Sequence, residues 1–199
     1  EANLEKNLVS LYDDLCQGSY KIGRSVAFII THPKIREVWA ADFRDRVVHH
    51  VIYNAIRDRY ERHFIRDNYA CIPGRGTHDG LHRVSGFARS ITESWSKTAY
   101  FMRADVANFF NSIDKNILIY LTNKLVHEEW VRNLIQQVIL HDPRNNFSMR
   151  SPQHWFDKVP RHKSLLHAPA GKSLPIGNLT SQFFANIYMN ELDQFIKHT

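Results

Sequence analysis

The stretch FMRADVANFFNSID, residues 101–114, holds the most informative pattern in the chain. An apolar run that starts just before it ends in the acid Asp105, which predicts a buried strand over residues 99–105. A carboxylate at the end of a buried strand is costly unless it is paired or binds a metal ion. Asp105 is therefore either a metal ligand or a structural group, such as a helix cap or a partner of Arg103.

The composition favours a globular protein with a polyanionic partner. The 199 residues are 43% hydrophobic, and the 26 Lys and Arg exceed the 20 Asp and Glu, which favours nucleic-acid binding. Cys16 and Cys71 lack the spacing of a disulfide framework or a zinc site. No apolar run approaches the ~20 residues of a membrane span, and no signal-peptide pattern opens the chain. We therefore expect a cytoplasmic protein with no membrane partner.

The hydrophobic pattern predicts an α+β fold that is rich in helices. Two short apolar runs flank a turn that contains Pro33, which predicts a β-hairpin. Residues 142–172 interrupt the helical pattern with several prolines and many bases, and long segments of this kind are typically functional or poorly ordered. Helical spacing of apolar residues marks six segments, namely 3–16, 42–64, 81–94, 114–125, 128–140 and 183–196.

Short matches to other enzyme motifs fail on context. The Gly-x-Gly at residues 74–76 has no strand–helix crossover around it, as a dinucleotide-binding loop requires. Ser94 and Lys97 match the Ser-x-x-Lys of serine hydrolases, but the partner motifs are absent. Residues 171–173 end like a P-loop, yet Leu166 stands where that loop needs its first Gly.

Four groups of residues, taken in order, resemble the motifs of bacterial reverse transcriptases. They are KIRE at 34–37 with FRDRVVHH at 43–50, YAC at 69–71 with GRGTH at 74–78, AD at 104–105 with FFNSID at 109–114, and LPIGNLTSQ at 174–182. Most reverse transcriptases have Gln before the Gly of the last motif and Ser-Pro at its end. The form found here, with Ile176 and with Ser181-Gln182, is similar to that of the enzymes of diversity-generating retroelements.

This resemblance implies a right-hand polymerase fold of the α+β class. Residues 1–98 would form the fingers, with an N-terminal helix, a β-hairpin and helices, and residues 99–125 the first palm strand and helix of a small palm sheet. Residues 126–173 would add a fingers/palm helix and the basic irregular segment, and residues 174–199 a palm helix. The match stops at Thr199, before the Tyr-x-Asp-Asp hairpin, the C-terminal palm and the thumb. We expect this piece alone to lack polymerase activity and to bind Mg²⁺ weakly.

The resemblance also implies the ligands of a metal ion and of a triphosphate. Two Mg²⁺ ions, or Mn²⁺ in their place, would drive nucleotidyl transfer. Asp105 would bridge both ions, and the backbone carbonyl of Val106 would complete one coordination shell. Arg36 would bind the phosphates of the incoming triphosphate. Lys34 would be its companion, although Lys21 and Arg24 are alternatives.

Further residues would contact the sugar, the base pair and the template. Phe110 matches a steric gate that favours deoxynucleotides, with Phe109 beside it, although plain core packing is the alternative for one of the two rings. Gly177 would let the backbone approach the nascent base pair. The implied contacts to template and primer come from Arg75, Gly76, Ser181 and Gln182.

The implied function is that of an RNA-directed DNA polymerase, which copies an RNA template from a DNA or RNA primer with dNTPs. In a diversity-generating retroelement, of a bacterium or a phage, it would be error-prone and would work with a small accessory protein. Ile176 in place of Gln removes a hydrogen-bonding group beside the base pair, which predicts looser base selection. The alternatives are a reverse transcriptase of a group II intron, a retron or an antiphage defence system, and a non-catalytic nucleic-acid-binding domain of the same fold.

Overall fold

A computed structural model describes residues 3–198 and shows a helix-rich fold with one small sheet, compatible with the α+β class. Short 3₁₀ turns interrupt the basic segment at Pro143–Asn145, Arg161–Lys163 and Leu165–His167. The strands are β1 (Ser25–Ile30), β2 (Arg36–Ala40) and β3 (Phe147–Met149). The helices are α1 (Leu4–Gln17), α2 (Phe43–Glu61), α3 (Thr77–Ile91), α4 (Phe109–Ser112), α5 (Lys115–Asn123), α6 (Glu129–Leu140), α7 (Gln153–Phe156) and α8 (Leu179–His198).

The predicted β-hairpin is confirmed. β1 and β2 pair antiparallel, with Ile30 opposite Arg36, and the turn between them contains the cis peptide His32–Pro33. β3 then pairs in parallel with β1, with Ser25 opposite Phe147, so that the strand order is β2-β1-β3. The segment 142–172, predicted to be irregular, therefore contributes a strand, because three residues can join an existing sheet without a pattern of their own.

The predicted strand over residues 99–105 is wrong. Residues 98–106 have neither helix nor strand, and Asp105 is exposed. The apolar side chains of Tyr100, Phe101 and Met102 are each at least 81% exposed. An isolated extended segment leaves its backbone groups unpaired, and no strand among residues 3–198 lies beside this one. The small palm sheet is therefore not formed by the described residues, and the premise that Asp105 is buried fails.

The main apolar core lies between helices. α2 packs on α8, and α5 packs on α6 and α8, which buries Ile56, Leu118, Ile135 and Phe184 almost completely. A second, smaller cluster covers one face of the sheet and joins Ala27 and Trp39 to Phe156, Leu165 and Ala168. The basic segment is thus packed against the hairpin, which sets up the site described below.

The six predicted helices are found in place, with differences at their ends. α3 begins at Thr77, four residues earlier than predicted, since Gly76 in extended conformation serves as its N-cap. Trp130 of α6 is 59% exposed and lies outside the main apolar core. The predicted palm helix is the turn at 174–178 followed by α8, and Thr199 lies outside the described residues. Within residues 3–198, no helix combines the length and the apolar character that a bilayer span needs.

Candidate functional site

A cleft of about 410 Å³ lies between the hairpin, the short helix α4 and the start of α8. It is lined by residues that are far apart in sequence and that belong to three of the four motifs quoted above. Most of the predicted site residues meet here, namely Lys34, Arg36, Phe109, Phe110, Ile176, Gly177, Ser181 and Gln182.

Two cations stand at one side of this cleft. Lys34 ends the hairpin turn and Arg36 opens β2, and both side chains are exposed. Within the described part of the chain, neither forms a salt bridge with a carboxylate. Unpaired cations in a concave site create a positive potential that attracts anions. The alternative companion Arg24 is partly engaged, because its Nη2 donates to the carbonyl of Phe147 at 2.9 Å.

The turn at residues 174–178 forms the floor of the cleft and is bonded to the outer edge of β2. The N–H of Trp39 donates to the carbonyl of Ile176 at 2.7 Å, and the N–H of Ala41 donates to Oδ1 of Asn178 at 3.0 Å. Gly177 has φ +129°, and a Cβ placed there would lie 2.7 Å from Cγ1 of Val38. The close backbone approach that needs a glycine is therefore made to β2 itself. An approach of Gly177 to a base pair remains a prediction.

The two aromatic rings of the cleft come from α4 and are half-buried. Phe109 and Phe110 meet edge to face, with centroids 5.6 Å apart, and Phe109 also meets the ring of Tyr188. The carbonyl of Phe110 accepts a hydrogen bond from the N–H of Leu174 at 2.9 Å. Both rings pack against the main core and both line the cleft, so core packing and a role at the site are compatible for each ring.

The first turn of α8 completes the lining and is held by buried polar contacts. Ser181 is buried, whereas Gln182 is exposed and its Oε1 accepts from the Sγ of Cys71 at 3.2 Å. The hydroxyl of Thr180 lies 2.7 Å from Nδ1 of His49. Burial of this imidazole lowers the pKa of His49 to about 4, so that His49 is neutral at physiological pH.

The remaining four predicted residues do not line the cleft. Nη1 of Arg75 donates to the carbonyls of Ile65 and Arg66 at 3.2 and 3.4 Å, which braces the loop before α3. Gly76 is the N-cap of α3. Asp105 and Val106 belong to the exposed segment 98–106.

The described residues do not fit the predicted pair of divalent cations. Two Mg²⁺ ions need several carboxylate oxygens. No group of three His, Cys, Asp or Glu among residues 3–198 is arranged to hold a metal ion. Asp105 therefore offers one exposed carboxylate, and we derive no metal-dependent step from it.

Two charged residues of the cleft had no role in the sequence interpretation. Glu37 belongs to the first motif and is only 3% exposed, and Lys163 belongs to the basic segment and is exposed. Both line the cleft, together with Asn108, Asn111 and Val159. The excess of bases in residues 142–172 was the available signal for Lys163, but nothing in the sequence tells which of these bases reaches the site.

Comparison with known proteins gives remote similarities, and no family model matches the chain. The chain is 23% identical over 163 residues to the Group II intron-encoded protein LtrA of Lactococcus lactis subsp. cremoris, which covers 82% of this chain and 23% of that protein. It is 24% identical over 155 residues to an uncharacterized 91 kDa protein in a cob intron of Schizosaccharomyces pombe, covering 78% of this chain and 16% of that protein. It is 26% identical over 106 residues to Nuclear intron maturase 1, mitochondrial, of Arabidopsis thaliana, covering 52% of this chain and 14% of that protein.

The chain spans less than a quarter of the length of each of these three relatives. All three are associated with introns by name, and none is named as a protein of a diversity-generating retroelement. The similarities support a reverse transcriptase relationship, at low identity and through intron-encoded proteins, and they give no support to the diversity-generating retroelement type.

Proposed function

We propose that the chain is part of an RNA-directed DNA polymerase and that its cleft binds the incoming deoxynucleoside triphosphate. The observation that carries this proposal is the convergence, in one cleft, of unpaired cations from the hairpin, an aromatic pair from α4 and the Gly177 turn. The intron-encoded relatives support the polymerase class independently of this geometry.

The chemistry of the lining suits a nucleotide. The triphosphate is the most highly charged part of the ligand, and Lys34 and Arg36 supply charge-assisted hydrogen bonds to its oxygens. The exposed faces of Phe109 and Phe110 offer an apolar wall for the sugar, and a ring at that place disfavours a 2′-hydroxyl. Ser181 and Gln182 lie beside them, at the start of α8, where template or primer would pass.

The test is direct binding of a deoxynucleotide to the 199-residue chain, measured by calorimetry with and without Mg²⁺. Replacing Arg36 by Gln removes one bidentate phosphate contact, so we expect about 10-fold weaker binding. The Arg62→Gln variant is the control, because Arg62 is also exposed but lies outside the cleft. Equal affinities of the two variants, or no saturable binding by the parent, would contradict the proposal.

The sugar gate has its own test. Replacing Phe110 by Ala removes the ring, so we expect the preference for dGTP over GTP to fall while the affinity for inorganic tripolyphosphate stays unchanged. An unchanged preference in Phe110→Ala would assign the ring to core packing alone.

Polymerase activity is a property that we propose for the whole protein. Since no group of three His, Cys, Asp or Glu among the described residues is arranged to hold a metal ion, we expect no primer extension by the 199-residue chain alone on an RNA template. cDNA synthesis by this polypeptide would refute that expectation.

The type of element is a finer proposal. Ile176 and Ser181-Gln182 favour an error-prone enzyme of a diversity-generating retroelement with a small accessory protein, whereas the named relatives favour a group II intron. Replacing Ile176 by Gln in a polymerase-competent form should reduce misincorporation opposite template adenine. If Ile176→Gln leaves that misincorporation unchanged, the group II interpretation is preferred.

A non-catalytic nucleic-acid-binding domain is the second candidate. The basic segment over residues 142–172 favours it, because clustered bases suit an RNA backbone. Such a domain would bind RNA in a salt-dependent manner without saturable binding of dNTPs, which the calorimetric experiment distinguishes.

A further inference from the structure

We infer that Lys163 is a third cation of the cleft and that the buried carboxylate of Glu37 is the residue that positions it. This inference rests on the proposed binding of a triphosphate and adds to it a contact from the basic segment. The result is a phosphate site built from two segments, the hairpin and residues 161–165.

Glu37 is an unusual residue for the inner face of a small sheet. Its carboxylate accepts hydrogen bonds from Nε1 of Trp39 at 2.6 Å, from the hydroxyl of Ser164 at 2.6 Å and from the backbone N–H of Leu165 at 2.8 Å. No Lys or Arg among the described residues forms a salt bridge with it. A buried carboxylate without a counter-charge is costly and persists only when its oxygens are well satisfied.

The bonds of Glu37 fix the residue that follows Lys163. Ser164 is itself 3% exposed and Leu165 is 5% exposed. The chain is therefore buried immediately after Lys163, whose side chain lines the cleft. The 3₁₀ turn Arg161–Lys163 is held from the other side as well, since Nδ2 of Asn111 donates to the carbonyl of His162 at 3.1 Å. The residues on both sides of Lys163 are thus held by Glu37 and Asn111, which both line the cleft.

Apolar packing alone would have sufficed to attach this segment. Leu165 and Ala168 already pack with Trp39 and Phe156 in the second apolar cluster. A carboxylate adds direction, because its hydrogen bonds specify one register of residues 163–165 against β2. Glu37 also follows Arg36 in β2. The same strand therefore places the Arg36 cation in the cleft lining and, through Glu37, positions the Lys163 cation.

The ligand that this arrangement fits is a polyphosphate. Lys34, Arg36 and Lys163 line the same cleft, and none has a carboxylate partner among residues 3–198. Three unpaired cations around one concave site repel one another unless an anion lies between them. A triphosphate tail carries enough charge to engage all three, whereas a single phosphate would engage fewer.

The experiment titrates inorganic tripolyphosphate, and separately dGTP, into the 199-residue chain at two salt concentrations. In Lys163→Gln we expect about 10-fold weaker binding of both ligands and a smaller dependence on salt. Lys158→Gln is the matched control: its charge change is identical, and Nζ of Lys158 lies 4.0 Å from the centroid of the Trp155 ring, outside the cleft lining. Lys163→Arg should restore most of the affinity, because it restores the charge.

The role of Glu37 needs a readout other than stability. Glu37→Gln should weaken tripolyphosphate binding as Lys163→Gln does, and the double variant should be no weaker than either single variant, since both act through the same side chain. If Glu37→Gln fails to fold, Ser164→Ala removes one of the three bonds and should show a smaller loss in the same direction. A loss of stability with unchanged affinity and salt dependence would reduce Glu37 to a structural residue and overturn its positioning role.

The outcomes separate this inference from the proposed function. If the parent chain binds neither ligand, the proposed function fails. If the parent binds and Arg36→Gln weakens binding while Lys163→Gln does not, the site exists without Lys163 and only the present inference is overturned.

Discussion

Replacing Gly177 by Ala tests the packing of the cleft floor against β2. Gly177 has φ +129°, and the added Cβ would lie 2.7 Å from Cγ1 of Val38 and 3.2 Å from the carbonyl oxygen of Trp39. The first contact is shorter than real Cβ contacts, and the second involves backbone that is bonded to Ile176. Both neighbours belong to β2, which pairs with β1.

Two costs add in this variant. A residue with a side chain at this backbone conformation costs about 1–3 kcal/mol, and forcing a methyl group into a packed site costs about 1–3 kcal/mol more. We therefore expect the free energy of unfolding to fall by roughly 2–6 kcal/mol, a large part of the stability of a domain of this size.

Equilibrium unfolding in urea, followed by circular dichroism, measures this loss. Gly86→Ala is the control, because Gly86 lies inside α3 with nothing within 4 Å of an added Cβ, and should stabilise by about 0.5–1 kcal/mol. Trimming Val38 to Ala should relieve the closest contact, so that the double variant is more stable than the sum of the single losses predicts. A loss below about 1 kcal/mol in Gly177→Ala would refute the steric argument.

Three further predictions concern the residues that support the site. Burial lowers the pKa of His49 to about 4. As the pH drops, the unfolded chain therefore binds the proton before the folded chain does. The free energy of unfolding should fall by about 3 kcal/mol between pH 6.5 and pH 4, at about 1.4 kcal/mol per pKa unit. Urea titrations across this range measure that fall, which His49→Gln should reduce and His50→Gln should leave in place. Part of the fall should persist in His49→Gln, because burial also lowers the pKa of His141. Asp114 accepts hydrogen bonds from the N–H groups of the first turn of α5, so Asp114→Ala should cost about 1 kcal/mol in the same assay. The phenol of Tyr20 donates to Oδ1 of Asp45 at 2.6 Å in a buried site, and Tyr20→Phe should lower the free energy of unfolding by about 1–3 kcal/mol; a change of a few tenths would show that Asp45 finds another donor.

Features that depend on neighbours in sequence were predictable. The cap at Asp114 is an example, since its Oδ1 accepts from the N–H groups of Asn116 and Ile117. The hairpin of β1 and β2 is another, because a turn and two flanking apolar runs contain all of its information. The helices follow from the spacing of apolar residues, which α2 and α6 bury largely as expected.

Features that depend on partners distant in sequence could not be predicted. The apolar run before Asp105 has the composition of a strand, but a strand also needs a neighbour to pair with, which the run itself does not encode. β3 shows the converse, since three residues without a marked pattern become a strand beside β1.

The same distinction holds for the cleft. Motif resemblance led to Arg36, Phe110 and Gly177, which the fold brings together. Glu37 is linked to Lys163 through hydrogen bonds from Ser164 and Leu165. These two residues follow the strand that contains Glu37 by more than a hundred positions. No local pattern in either segment announces that contact.

The parallel pairing of β1 with β3 has a consequence for the order in which the protein folds. The two strands lie about 120 residues apart, and closing a loop of that length costs roughly 4 kcal/mol of chain entropy before any contact repays it. On the ribosome, the N-terminal hairpin emerges long before β3 and the Glu37 contacts are made, so its edges remain open to wrong partners during synthesis. The sheet should therefore be among the last parts to gain protection from hydrogen exchange, after the helical core has formed.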